Sequence, residues 1–233
     1  MSDPFDAIVI GAGPAGEVCV GHLANAGMRV ALAERELVAG ECSYWACMPS
    51  KTLLRPGEVL AQARRAPGAR EAVGGELDTG RALEWRDKVV SNWDDSGQLP
   101  WLEERGIELL RGDAEIAAPG RVRVGDTVHA TERIVIATGS ATAFPPIDGL
   151  QELDGIWTNR EVTAIKQVPE SILILGGGPV GSEMSQALNR LGAKVTVVEA
   201  ESRLLAREAE AVGTLLGEEL AAEGIELRLG AEA

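Results

Sequence analysis

Two glycine triplets and one pair of cysteines stand out as candidates for binding and redox work. Gly11, Gly13 and Gly16, and again Gly176, Gly178 and Gly181, stand in the order G-x-G-x-x-G. In that pattern the first glycine permits a tight strand-to-helix turn. The second lets backbone approach a pyrophosphate, and the third lets helix and strand pack closely. Phosphates then sit at a helix N-terminus, where free N–H groups and the helix dipole favour anions. Glu34 and Glu199 each follow their first glycine by 23 residues, at the end of an apolar run. An acid there accepts hydrogen bonds from ribose hydroxyls. One such motif alone is weak; two, each with its acid, predict two dinucleotide sites. Cys42 and Cys47 form a C-x4-C pair. By itself that spacing is open to two unrelated buried thiols, to a metal or to redox work. A metal is the poorest of these, because the chain has two histidines and no second C-x-x-C. Cys19 falls inside the first expected helix and reads as core packing.

An internal repeat lays out the strands and helices that carry these groups. Residues 6–34, DAIVIGAGPAGEVCVGHLANAGMRVALAE, align without a gap on residues 171–199, SILILGGGPVGSEMSQALNRLGAKVTVVE, at a constant offset of 165. Each copy opens on a continuous apolar run, as expected of a strand buried on both faces. A helix of about three turns follows, then Gly27 or Gly192 as its stop, then a second strand. GIELLRG (106–112) and GIELRLG (224–230) are near copies and predict a third strand in each unit. The fold class is therefore α/β, with two Rossmann-like units in series on parallel sheets, the second truncated. Residues 51–105 predict two helices, roughly 51–64 and 81–105. Residues 121–124 and 127–130 alternate as a small antiparallel meander, and Ile134–Ala137 reads as a further buried strand. The Pro-rich run from Phe144 to Gly149 marks a boundary, giving domains 1–148 and 149–233.

The 233 residues carry a net charge of −14 with no basic block, which disfavours nucleic acid and anionic membranes as partners. No apolar stretch approaches the roughly 20 residues that span a bilayer. The start, Met1-Ser2-Asp3-Pro4-Phe5-Asp6, lacks a basic region, so a cytoplasmic protein without a signal peptide is expected. Three cysteines are too few and too odd for a secreted disulfide scaffold.

The segment Ala39-Gly40-Glu41-Cys42, four residues, then Cys47-Met48-Pro49-Ser50-Lys51 resembles the signature of the class I pyridine nucleotide–disulfide oxidoreductases. That family includes dihydrolipoamide dehydrogenase, glutathione reductase and mercuric reductase. The resemblance runs over essentially the whole chain. It implies that the first unit, 1–148, binds FAD and the second, 149–233, a nicotinamide dinucleotide. It implies a redox-active disulfide between Cys42 and Cys47, with Cys47 against the flavin and Cys42 meeting the substrate. Lys51 would approach flavin N5 and pair with Glu183. The implied FAD contacts are Gly11, Gly13, Pro14, Ala15, Gly16, Glu34, Arg35, Gly40, Glu41, Lys51, Ala114, Ala137, Thr138 and Gly139. Those for the nicotinamide cofactor are Gly176, Gly178, Pro179, Val180, Gly181 and Glu199. Electrons would pass from NADH or NADPH through FAD to the disulfide and on to a small disulfide or dithiol-type substrate. Glu199 favours NAD(H), since a carboxylate suits a 2′-OH and repels a 2′-phosphate; Arg203, a few residues on, reads either as a partial offset to that preference or, in preference, as an exposed or helix-capping arginine.

Two features depart from the family pattern. The spacer Ser43-Tyr44-Trp45-Ala46 is bulky. Its aromatics suit either a stacking surface for a quinone or packing against the helix expected at 81–105. Family members also run about twice this length and end in an interface domain carrying an acid–base His–Glu pair. Neither His22 nor His129 matches that position. The chain thus reads as an N-terminal half with an incomplete second sheet edge, whose parent is a homodimer. The alternatives are a quinone-type reductase using the flavin directly and an inactive nucleotide-binding fragment.

Overall fold

The computed structural model describes residues 4–231. Met1, Ser2 and Asp3, part of the expected leaderless start, lie outside the described residues. In chain order the elements are β1 (Phe5–Ile10), α1 (Pro14–Asn25), β2 (Val30–Glu34), α2 (Gly40–Tyr44), α3 (Cys47–Arg65), α4 (Thr79–Val89), α5 (Leu99–Glu104), β3 (Glu108–Arg111), β4 (Ala114–Ala118), β5 (Arg121–Val124), β6 (Thr127–Ile136), α6 (Asn159–Thr163), β7 (Ser171–Leu175), α7 (Pro179–Arg190), β8 (Lys194–Glu199), α8 (Glu210–Ala222) and β9 (Glu226–Leu229). The sequence repeat is a structural repeat: α1 and α7 each run 12 residues from a proline at the first helical position. Proline suits that position because its missing N–H would have no helical partner there.

The chain divides into two compact units, one holding residues up to Cys47 with Val90–Thr142, the other Met48–Val89 with Ala143 onwards. In the first, six strands run in the order β3-β2-β1-β6-β5-β4. β3, β2, β1 and the second half of β6 are parallel, and β4, β5 and the first half of β6 form the antiparallel meander. The strand expected at 134–137 is thus the continuation of the meander's last strand. β1 and β2 are buried on both faces, as their unbroken apolar runs require.

The second unit carries the parallel sheet β7-β8-β9. Ile172, Ile174, Val195, Val197 and Leu227 lie against the apolar faces of α7 and α8. Here the expectation of a strand buried on both faces fails. Leu173 and Leu175 are 55% and 38% exposed, because helices cover only one face of this sheet.

The second expected helix, 81–105, is also corrected. It breaks into α4, a turn and α5. Ser91, Asn92 and Trp93 all take left-handed backbone, with φ of 50°, 52° and 58°, which no right-handed helix can accommodate. Arg86 on α4 is fully buried, and its guanidinium donates to the carbonyls of Thr163 and Ile165 and to Asp87. Among the described residues no helix is long and apolar enough to cross a membrane.

Candidate active site

The glycines of each triplet separate by cause. Gly11 sits at φ +100°, and a Cβ there would lie 2.3 Å from the carbonyl oxygen of Ala137. A Cβ on Gly16 would lie 1.8 Å from the Gly11 oxygen, and one on Gly181 2.0 Å from the Gly176 oxygen. These positions are glycine because protein fills the space. Gly13 and Gly178, the helix N-caps, differ. Their φ/ψ are −71°/−179° and −70°/−176°, which any residue adopts. A Cβ would meet nothing within 4 Å at either. Their bare backbone is explained by neither strain nor packing, and fits a group that must come close to the loop. Pro14 and Ala15, and equally Pro179 and Val180, leave each first helical turn exposed.

The two acids occupy the same place in each copy. Glu34 accepts from the N–H of Ala12 (2.8 Å) and of Glu36 (2.7 Å). Glu199 accepts from Gly177 (2.6 Å) and Glu201 (2.8 Å). Each carboxylate therefore ties its strand end to its own glycine loop. Arg35, next along, forms an exposed pair with Asp113 at 3.8 Å, and Ala114 opens β4 opposite Val124. Thr138 and Gly139 follow β6 and are exposed, with Ala137 held to the end of β1 by its N–H bond to Ile10.

Cys42 and Cys47 are joined in a disulfide with Cα atoms 4.7 Å apart. Cys42 sits mid-way in α2 and Cys47 begins α3. The loop leading into α2 is fastened to the first glycine loop. The Ala39 N–H donates to the Ala12 carbonyl at 2.8 Å, and a Cβ on Gly40 would lie 2.7 Å from Gly13 Cα. Glu41 lies in the first turn of α2. Tyr44 is buried, and Trp45 packs beside it with Leu37 and Trp93. The aromatic spacer is therefore packing against the 90–93 segment. Burial pushes the Tyr44 phenol up, and the neighbouring carboxylates of Asp95, Glu17 and Asp94 add to the rise.

In the second unit Lys51 Nζ and Glu183 Oε1 are 2.6 Å apart, and Ser50 donates to the same carboxylate oxygen at 3.1 Å. Arg203 is engaged by backbone, donating to the carbonyls of Leu205, Ala206 and Glu208. Cys19 packs on the core of the first unit. Sequence reasoning missed the segment that brackets the cysteine loop, Trp93 and Asp95 with Arg111. Its one local signal was the turn-rich run Asn92-Trp93-Asp94-Asp95-Ser96-Gly97.

The family described as pyridine nucleotide-disulphide oxidoreductase matches residues 5–233. The chain belongs to that family. It is 32% identical over its whole length to dihydrolipoyl dehydrogenase of Acholeplasma laidlawii, covering 70% of that protein. It is 29% identical to mercuric reductase of Lysinibacillus sphaericus, over 98% of this chain and 42% of that one. The solved structure of the HOCl-induced flavoprotein disulfide reductase RclA from Escherichia coli superposes with a TM-score of 0.84 at 29% identity, over 98% of this chain and 49% of RclA. The chain thus spans between two fifths and seven tenths of these relatives' length.

Proposed function

We propose that the chain is the nucleotide-binding part of an FAD-dependent NAD(P)H–disulfide oxidoreductase working through Cys42 and Cys47. The observation that carries this is the attachment of the disulfide loop to the first glycine loop, through Ala39 to Ala12 and Gly40 to Gly13. A group held by the glycine loop and the reactive sulfurs are then positioned by one piece of backbone.

FAD, when bound, supplies two-electron transfer between a reduced nicotinamide and the disulfide. Gly11, Gly13, Pro14, Ala15 and Gly16, with the first turn of α1, would hold its pyrophosphate, and Glu34 its ribose. Arg35, Gly40, Glu41, Ala114 and the segment Ala137-Thr138-Gly139 complete the set, over a domain of residues 1–148. Gly176, Gly178, Pro179, Val180, Gly181 and Glu199 would hold the nicotinamide dinucleotide in residues 149–233. Glu199 favours a free 2′-hydroxyl. Arg203 supports that preference, because backbone carbonyls already take up its guanidinium. Lys51 keeps a positive charge one helical turn beyond Cys47, with Glu183 fixing its ammonium. Reduction of the disulfide frees Cys42 as a thiolate nucleophile toward a small oxidised substrate. The parent assembles as a homodimer through a further domain.

The quinone-type reading rests on Trp45, which is half-buried, since Tyr44 is 3% exposed. The deciding experiment compares the chain with Cys42→Ala, under anaerobic conditions with FAD and NADH. Yellow protein that bleaches with NADH and reduces a disulfide, with only the second property lost in the variant, is the expected result. Unchanged disulfide reduction in Cys42→Ala would sink the proposal, and a colourless protein would favour an inactive fragment.

A further inference from the structure

The short helix α2 is gripped at both ends from one turn. At its C-terminal end the Trp93 indole Nε1–H donates to the carbonyl of Tyr44 at 3.1 Å, and the Tyr44 hydroxyl lies 3.5 Å from the Asp94 carbonyl. At its N-terminal side the Val38 N–H donates to Asp95 Oδ2 at 2.8 Å. Arg111 from β3 bonds the same carboxylate oxygen and the Glu36 carbonyl. A helix of five residues has almost no stability of its own, so its geometry is set by these outside bonds. The turn that supplies them is left-handed at three successive non-glycine residues, Ser91, Asn92 and Trp93. Such backbone costs of order 1 kcal/mol or more per residue and persists only where its surroundings over-determine it. Trp93, Asp94 and Asp95 each bond to the loop carrying the cysteines, and Ala39, Tyr44 and Val90 are buried in one cluster there.

We propose that Trp93 is a positioning residue for the Cys42–Cys47 pair: its indole N–H holds the Tyr44 carbonyl so that the two sulfurs stay in register when the bond between them is broken. The inference rests on the redox reading of that pair. Without the grip, the four-residue segment between the cysteines is free to extend after reduction. The effective concentration of one thiol at the other then falls.

The test is the dithiol–disulfide equilibrium of the full chain against dithiothreitol. In that exchange the S–S bond of Cys42–Cys47 breaks and two thiols form. Two electrons and two protons come from dithiothreitol, which closes to its cyclic disulfide. Thiols are trapped by alkylation and counted by mass. Trp93→Phe keeps the ring and removes the donor, and is expected to weaken disulfide formation about tenfold, a shift of about +30 mV. Tyr44→Phe, which leaves the gripped carbonyl in place, should stay within twofold. Trp101→Phe, an equal chemical change on α5, should leave the equilibrium as it is. An unchanged equilibrium in Trp93→Phe overturns the proposal while leaving the redox reading intact. A wild-type pair that never titrates overturns the redox reading instead. Should Trp93→Phe not fold, the exchange rate of the Trp93 indole proton in the reduced wild-type chain decides. At least tenfold protection over a free indole supports the grip, and free exchange removes it.

Discussion

At Gly178 the backbone is extended and the space where a side chain would stand is open; at Gly181 a neighbouring carbonyl fills it. The same substitution should therefore read out differently at the two positions. Gly178→Ala is expected to leave unfolding stability within about 1 kcal/mol, the usual range for an N-cap change of this kind. It should weaken nicotinamide dinucleotide binding at least tenfold, about 1.4 kcal/mol. Gly181→Ala, with a Cβ forced to 2.0 Å from the Gly176 oxygen, should cost about 3 kcal/mol of stability. Thermal unfolding and a fluorescence titration with NADH separate the two outcomes. Equal binding losses with equal stability losses would show that both glycines serve the fold alone. These positions were legible in the sequence because backbone geometry leaves few residue types to choose from. Trp93 was not, because its bond to Tyr44 bridges 49 residues and no local pattern encodes it.

Within the elements, α3 and α7 meet at Gly57, where a Cβ would lie 2.8 Å from Arg190 Cβ. Alanine is the better helix former by about 1 kcal/mol. A Cβ-to-Cβ clash cannot be relieved by rotating a side chain, so overpacking of about 1–3 kcal/mol decides the sign. Gly57→Ala should lower Tm; a rise would show that the two helices slide apart freely. On α4, burial alone would raise the Asp87 carboxyl. Its bonds to Lys166 and to the buried Arg86 outweigh that and hold it below the usual carboxylate range. A carboxyl depressed on folding contributes stability above its unfolded pKa and loses it as pH falls through the folded one. Asp87→Asn should therefore be destabilised by about 1–3 kcal/mol at neutral pH, with the gap to wild type closing as pH drops below about 4. A gap independent of pH would mean that the charge contributes nothing. The break of the expected 81–105 helix belongs to this scale too. The turn-rich run from Asn92 to Gly97 is a local signal for the break, and packing onto the cysteine loop accompanies the left-handed turn at 91–93. The half-exposed β7 was hidden: Ile172 and Leu173 look alike in sequence, whichever face a helix covers.

Across the whole molecule the net charge of −14 opposes the approach of any dinucleotide, itself an anion. Screening shortens the reach of that repulsion from about 30 Å at 0.01 M salt to about 8 Å at 0.15 M. Association of NADH should accordingly quicken with added salt, by about twofold or more over that interval, as stopped-flow mixing would show. A fall with salt would point instead to local cations that steer the ligand. The general architecture was open to reading from sequence alone because the repeat states it twice, at 106–112 and 224–230 as well as in the long copies. The grouping of residues 48–89 with the second compact unit was not, since no composition change marks it.

The bonds from Glu34 to Ala12 and from Glu199 to Gly177 are one device copied at an offset of 165 residues, down to the second bond two residues on. A chain built this way contains its own replicate. Whatever Glu34→Gln and Glu199→Gln cost in common is the worth of the device to the fold. Whatever differs between them measures what each copy has since come to do for a different molecule.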